Sequence, residues 1–253
     1  QAVGQALVAA QRTAPADRPV HSLHAYFILA GDPKTPITYS VERVRDGKSF
    51  TTRRCVATQR DRAIFSLEAS FQIVEKGLEH AFAPPEAPAP ESLPTSSALA
   101  ERFMGFLPPS ARALIAGASA LDIRVVDPAA YFSGEGTPSA QQFIWFRVAG
   151  RLPDDQATHS AVLAYLSDMT LLNTALIAHG RSIFDQRLQV ASLDHAVWFH
   201  RPFRADEWLL YAQDSPAAAG ARALTRGLLY TESGELVASV AQEGLIRDRS
   251  GES

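Results

Sequence analysis

The pattern of apolar and polar positions divides the chain into short periodic segments separated by turn residues. The first, QAVGQALVAAQRT, places its apolar residues at helical spacing and predicts a helix over residues 1–13. Alternating runs follow, VHSLHAYFIL, ITYSVERV, FTTRRCVATQ and AIFSLEASFQIV, parted by the turn signals GDPKTP, RDGKS and RDR. Prolines at 84, 85, 88, 90 and 94 in HAFAPPEAPAPESLPTSS exclude regular helix or a central strand and predict an extended connector. Beyond it AERFMGFLPPSARALIAG reads as helix, and ALDIRVVD and QQFIWFRVAG read as strands. THSAVLAYLSDMTLLNTALIAHG reads as a long helical stretch, in which Ser167-Asp168 marks a break or a new N-cap. SLDHAVWFHR, EWLLYAQDS, ARALTRGLLY and ELVASVAQEGLIR close the chain as strands.

Alternation makes a further prediction for SLDHAVWFHR. Leu193, His195, Val197 and Phe199 face one way, and Ser192, Asp194, Ala196, Trp198 and His200 the other. RPFRAD turns the chain into the next strand, so the segment is first of all a hairpin. Adjacent in sequence, Asp194 and His195 point to opposite faces and form no dyad with each other. His195 and His200 read as structural or hydrogen-bonded; His21 reads as structural, although its strand position lets it line a site.

Both halves thus share one plan, a helix followed by an antiparallel meander. Ser22 to Gln72 spans 50 positions, as does Ser192 to Gln242, at a constant offset of 170. Direct identity at that offset is near background, so the suggested tandem duplication rests on element order and length. Each half is expected to wrap its sheet round its own helix, burying the apolar face of AVGQALVAA or LLNTALIA. The division expected is 1–80, a connector over 81–118, and 119–253. Leu171, Leu172 and Leu176 should pack in the second core against Val197, Phe199 and Leu210.

Composition narrows the function. With 46% hydrophobic and 20% charged residues this is a globular chain. A net charge of −3 offers no basic footprint for nucleic acid or an anionic membrane. No apolar run reaches the roughly 18 residues a spanning helix needs. The single cysteine, Cys55, cannot form an internal disulfide, which points to a reducing, cytoplasmic setting. The chain starts inside a helical pattern without a methionine or a cap, so its true N-terminus is expected upstream. GEGTPS at 134–139 imitates half a dinucleotide fingerprint with no strand–helix unit around it. The histidines show no metal spacing beyond a bare H-x-x-H, and no metal is expected.

SLDHAVWFHRPFRADEWLLYAQDSP, followed by LVASVAQEGLIR, closely resembles the C-terminal half of the acyl-CoA thioesterase II (TesB-type) family. VHSLHAYFILAGDPKTPITYSVERVRDGKSFTTRRCVATQ with IFSLEASFQ resembles its N-terminal half, and AYLSDMTLL its second central helix. The resemblance covers nearly the whole chain and implies an α+β double hotdog fold. It also implies hydrolysis of fatty acyl-CoA to free acid and coenzyme A, by a homo-oligomer. Residue by residue, it places the family's aspartate, hydroxyl and amide on Asp168, Ser192 and Gln242. Serine stands where threonine also occurs, and the family's first strand and glycine pair would precede Gln1.

These residue types suit the chemistry. A carboxylate can deprotonate or hold a water, and a hydroxyl and an amide can orient it. Backbone N–H groups at the start of the helix near Asp168 are expected to stabilise the oxyanion. The sequence holds no G-x-S-x-G, so direct attack by water is expected, with no cofactor beyond the coenzyme A of the substrate. Two rivals remain at this point: a non-catalytic acyl-CoA binder, and a hotdog hydratase, which would need a histidine beside Asp168.

Overall fold

The computed structural model describes residues 1–105, 107, 120–136 and 138–250. Helix α1 (Ala2–Gln11) buries Val3, Ala6, Leu7 and Ala10, the stripe that an amphipathic helix turns to a core. Around it run β1 (Val20–Phe27), β2 (Thr38–Asp46), β3 (Phe50–Gln59) and β4 (Arg62–Gln72). Period-2 burial is clean in β3, where Thr51, Arg53, Cys55, Ala57 and Gln59 are buried and their neighbours less so.

After the connector come α2 (Ser96–Phe103), β5 (Leu121–Val125), α3 (Pro128–Ser133) and β6 (Gln141–Val148). The chain then forms α4 (Gln156–Leu166) and α5 (Asn173–Ile177). It ends in β7 (Leu188–Ser192), β8 (Asp194–Phe199), β9 (Leu209–Ala219), β10 (Arg222–Thr231) and β11 (Leu236–Asp248). Helix α5 lies against β6, β9 and β10, so each half does have a helix inside a curved antiparallel sheet. Among the described residues no helix is long and apolar enough to cross a membrane.

The two sheets are continuous. The strand order is β2-β3-β4-β1-β8-β11-β10-β9-β6-β5, with β7 also paired to β11. The seam is β1 against β8, with Ser22 opposite Trp198 and Ala25 opposite His195. Pairing these strands removes an exposed edge from each meander. One core results, uniting Leu7, Leu23 and Phe65 of the first half with Leu163, Val197 and Val240 of the second. Helix α4 joins them by lying on α1, where a Cβ added at Gly4 would come within 2.9 Å of the Ala161 carbonyl oxygen. Only glycine allows that approach.

Several expectations change. Of the two readings of Ser167-Asp168 the break holds: α4 ends at its C-cap Ser167, and the chain makes tight turns to Leu172 before α5 begins. Asp168 is therefore not an N-cap. SLDHAVWFHR is two strands meeting at Leu193, for reasons given below. The helix read over 100–117 is α2 at its start, and its remainder at 106 and 108–117 lies outside the described residues. Leu210 does not face the second helix. It joins Trp145, Trp208, Tyr230 and Leu236 in a separate cluster with Ala87 and Leu93 of the connector, while Leu209 and Tyr211 enter the main core. The connector is thus a strap, tied by Trp145 Nε1 to the Pro88 carbonyl (2.9 Å) and Trp208 Nε1 to Glu91 (2.9 Å).

Leu171, Leu172 and Leu176 are buried as expected. Leu172 rests on β11 at Gly244, where a Cβ would lie 2.3 Å from Leu172 Cδ2. Removing the side chain should cost about 2–5 kcal/mol in Leu172→Ala. Gly244→Ala should also destabilise, and the double variant should lose less than the two single losses together. Urea denaturation of the three variants checks this; additive losses would mean the two residues are not in contact.

Candidate active site

Asp168 lies in the turns between α4 and α5, half-buried against the second-half sheet. Its Oδ1 accepts two hydrogen bonds, from Ser192 Oγ at 3.0 Å and from Gln242 Nε2 at 2.6 Å. Among the described residues Oδ2 has no hydrogen-bond donor. Residues 24 and 74 positions away along the chain are thus tied to one carboxylate oxygen.

Strand alternation alone would turn Ser192 away from this point. Ser192 pairs with Gly244 and Ala196 with Ala241, so β7 and β8 together place one more residue along this stretch than β11 does. The extra residue is a β-bulge at Leu193, which re-aims the side chains before it. Asp194 holds the bulge, its Oδ1 accepting the backbone N–H of Glu243 at 2.6 Å. Ser192 and His195 consequently both face inward, contrary to the two-face expectation; from Asp194 to His200 the alternation holds.

Gln242 is fully buried on β11. Its backbone carbonyl accepts from the buried Thr225 Oγ1 of β10 at 3.1 Å. Its Oε1 is buried without a hydrogen-bond partner among the described residues, and an amide oxygen so placed can accept from a water.

The site has a polar backing of which sequence reasoning named only His195, as structural or hydrogen-bonded. His195 is fully buried, with Nε2 2.9 Å from Ser167 Oγ. Burial pushes its imidazole down to about 4, with the Asp168 charge pulling the other way, so it is neutral at physiological pH. Tyr211 Oη donates to the Ser167 carbonyl at 3.0 Å, and burial, then the Asp168 charge, raises the phenol well above its ordinary value. The one sequence signal of this backing was Gly227 in mid-strand: a Cβ there would lie 2.1 Å from the Tyr211 ring.

The other candidates stand apart. His21 Nε2 lies 2.8 Å from Ser70 Oγ, and His200 Nε2 lies 2.8 Å from Ser239 Oγ, each a cross-strand contact away from Asp168. In the first half Ser22 is buried in the seam, and Gln72 donates from Nε2 to Glu75 at 2.8 Å. Nothing there joins the two as Asp168 joins Ser192 and Gln242. Among the described residues no group of three His, Cys, Asp or Glu is gathered as a metal site would require.

Comparison with known proteins assigns both halves. Residues 118–245 match the acyl-CoA thioesterase family model, and residues 1–72 match the acyl-CoA thioesterase N-terminal domain. Acyl-CoA thioesterase 2 of Haemophilus influenzae is 38% identical over 247 residues, 98% of this chain and 86% of that protein. The crystal structure of acyl-CoA thioesterase II TesB2 from Mycobacterium marinum superposes with a TM-score of 0.81 at 46% identity. The match covers 98% of this chain and 88% of that one. A hot dog protein of unknown function from Alicyclobacillus acidocaldarius superposes at 0.75 with 17% identity, covering 97% and 85%, which speaks to the fold alone. The fold is a double hotdog, and with matches running through both halves the chain belongs to the TesB-type acyl-CoA thioesterase II family.

Proposed function

We propose that this thioester hydrolase cleaves acyl-CoA by direct attack of a water that Asp168 deprotonates while Gln242 holds the water in line and Ser192 orients the carboxylate. The observation that carries the reading is the shared carboxylate oxygen. Ser192 and Gln242 both donate to Oδ1, leaving Oδ2 as the basic oxygen. A water donating one proton to Oδ2 and the other to Gln242 Oε1 has its lone pair oriented for a carbonyl carbon. The proton lost in the attack passes to Asp168 and is available to the departing thiolate, so atoms and charge balance across the step.

The oxyanion is served from a different helix than expected. Helix α5 has only five residues and starts well after Asp168. Helix α1 runs antiparallel along α4, with Gln11 at Ala157 and Gly4 at Ala161 and Tyr165, so its N-terminal turn lies at the end of α4 that leads to Asp168. Its positive end favours the developing oxyanion.

The rival chemistries fit less well. A hydratase dyad would bond a histidine to Asp168, whereas His195 is bonded to Ser167. A thiol nucleophile is excluded at Cys55, which is buried in the core with its thiol pushed up to about 11. That single buried thiol also supports a reducing, cytoplasmic setting. All three working groups fall within 119–253, which supports assigning the chemistry to that unit and a scaffolding role to 1–80. The homo-oligomer implied by the family resemblance belongs to the same reading.

Asp168→Asn keeps the volume and removes the base, so kcat should fall roughly 10² to 10⁴-fold. Ser192→Ala should be impaired yet measurable, because the hydroxyl orients the carboxylate and carries no acyl group. Thiol release from acyl-CoAs of graded chain length measures both, and wild-type turnover by Asp168→Asn would sink the mechanism.

The two halves supply an internal control. Gln72→Ala and Gln242→Ala delete the same amide from matching strands, yet only Gln242 touches Asp168. Gln72→Ala should turn over like the wild type, and Gln242→Ala should lose about 10²-fold or more through misplacement of the water. Equal losses would mean that the halves share or double the site.

A further inference from the structure

Every polar atom of Ser167, the residue before the proposed base, is engaged from a different element. Its N–H donates to Leu163 O of α4 at 2.9 Å, its carbonyl accepts from Tyr211 of β9, and its hydroxyl meets His195 of β8. Ser167 itself is fully buried. From this geometry we infer that His195 and Tyr211 are positioning residues for the reaction, acting through Ser167 to hold the backbone from which Asp168 reaches Ser192 and Gln242. The inference rests on Asp168 being the base.

Three features favour positioning over simple core filling. Ser167 caps the C-terminus of α4, where carbonyls lack helical partners and normally turn to solvent. Here a buried phenol takes that role, and its raised pKa keeps the proton that makes it a donor. A neutral imidazole has one N–H and one bare nitrogen. With Nε2 protonated and donating to Ser167 Oγ, the serine can donate weakly to Ala164 O at 3.4 Å, and Nδ1 is buried without a partner among the described residues. An apolar side chain would avoid that orphaned nitrogen, so what histidine adds at this position is the bond to Ser167. Lastly, the Tyr211 ring has room only because position 227 is glycine. The strands β8 and β9 thus converge on Ser167, with β10 leaving room for the Tyr211 ring.

The consequence is specific: loosening the clamp should move Asp168 without changing what binds the substrate. Displacements on the order of 1 Å at a reacting group lower rates about 10²-fold. His195→Phe keeps a ring and loses both nitrogens; Ser167→Ala loses the shared oxygen; His195→Gln can return an amide N–H to the place of Nε2. Using octanoyl-CoA and palmitoyl-CoA, we expect His195→Phe and Ser167→Ala each to lower kcat about 10- to 100-fold, with KM within about twofold. The double variant should be no worse than either single one, and His195→Gln should recover most of the loss. Circular dichroism and a denaturation midpoint establish that each variant is folded.

Wild-type kcat in folded His195→Phe and Ser167→Ala, with Asp168→Asn inactive, would overturn the clamp and leave the base intact. Losses that multiply in the double variant, or that are equal in His195→Phe and His195→Gln, would overturn it too. Should His195→Phe fail to fold, Ser167→Ala and Tyr211→Phe decide, each removing a single oxygen; unchanged kcat in both rejects the proposal. Wild-type turnover by Asp168→Asn would instead remove the reading beneath it.

Discussion

One oxygen atom, Oδ1 of Asp168, organises the second half of this molecule. It accepts from Ser192 at the end of β7 and from Gln242 inside β11, so both strands and the turns after α4 must meet at hydrogen-bond distance. Each irregularity nearby serves that meeting. The helix stops at Ser167, the strand bulges at Leu193, and Gly244 admits Leu172 so the turns can settle on β11.

The two halves are alike in plan and unlike in chemistry. Their sheets join edge to edge at β1 and β8, and their apolar faces merge into one core. In the second half the hydroxyl and amide find a carboxylate between them. In the first, Ser22 is built into the seam and Gln72 turns to Glu75. The first half meets the second through α1, which lies along α4, the helix that ends at Ser167.

Asp194 and His195 show how a motif misleads when taken as a pair. Next to each other in sequence, they do different work in different directions. Asp194 binds the Glu243 amide and holds the bulge, whereas His195 turns inward to Ser167. Neither acts on the other. Burial, which makes His195 useless as a base near neutral pH, is also what makes its hydrogen bond a fixed one.

Periodicity determined most of the elements by itself, because strand alternation and helical spacing are local properties that survive without a partner. The strands at 20–29, 50–59, 63–74 and 235–247 were legible within a few residues, as was the proline-rich connector, and resemblance to a family placed Asp168, Ser192 and Gln242. Tertiary structure decided what pattern cannot encode. A bulge costs only one residue of sequence, yet it inverts which way Ser192 points. Leu209 and Leu210 are adjacent and equally apolar, and only the strap lying on the outer face gives Leu210 a second core to enter. The grip of His195 and Tyr211 on Ser167 joins residues 28 and 44 positions away, and glycines 227 and 244 matter for what they leave room for. Such contacts depend on distances between elements, which a chain acquires only when its strands have found their partners.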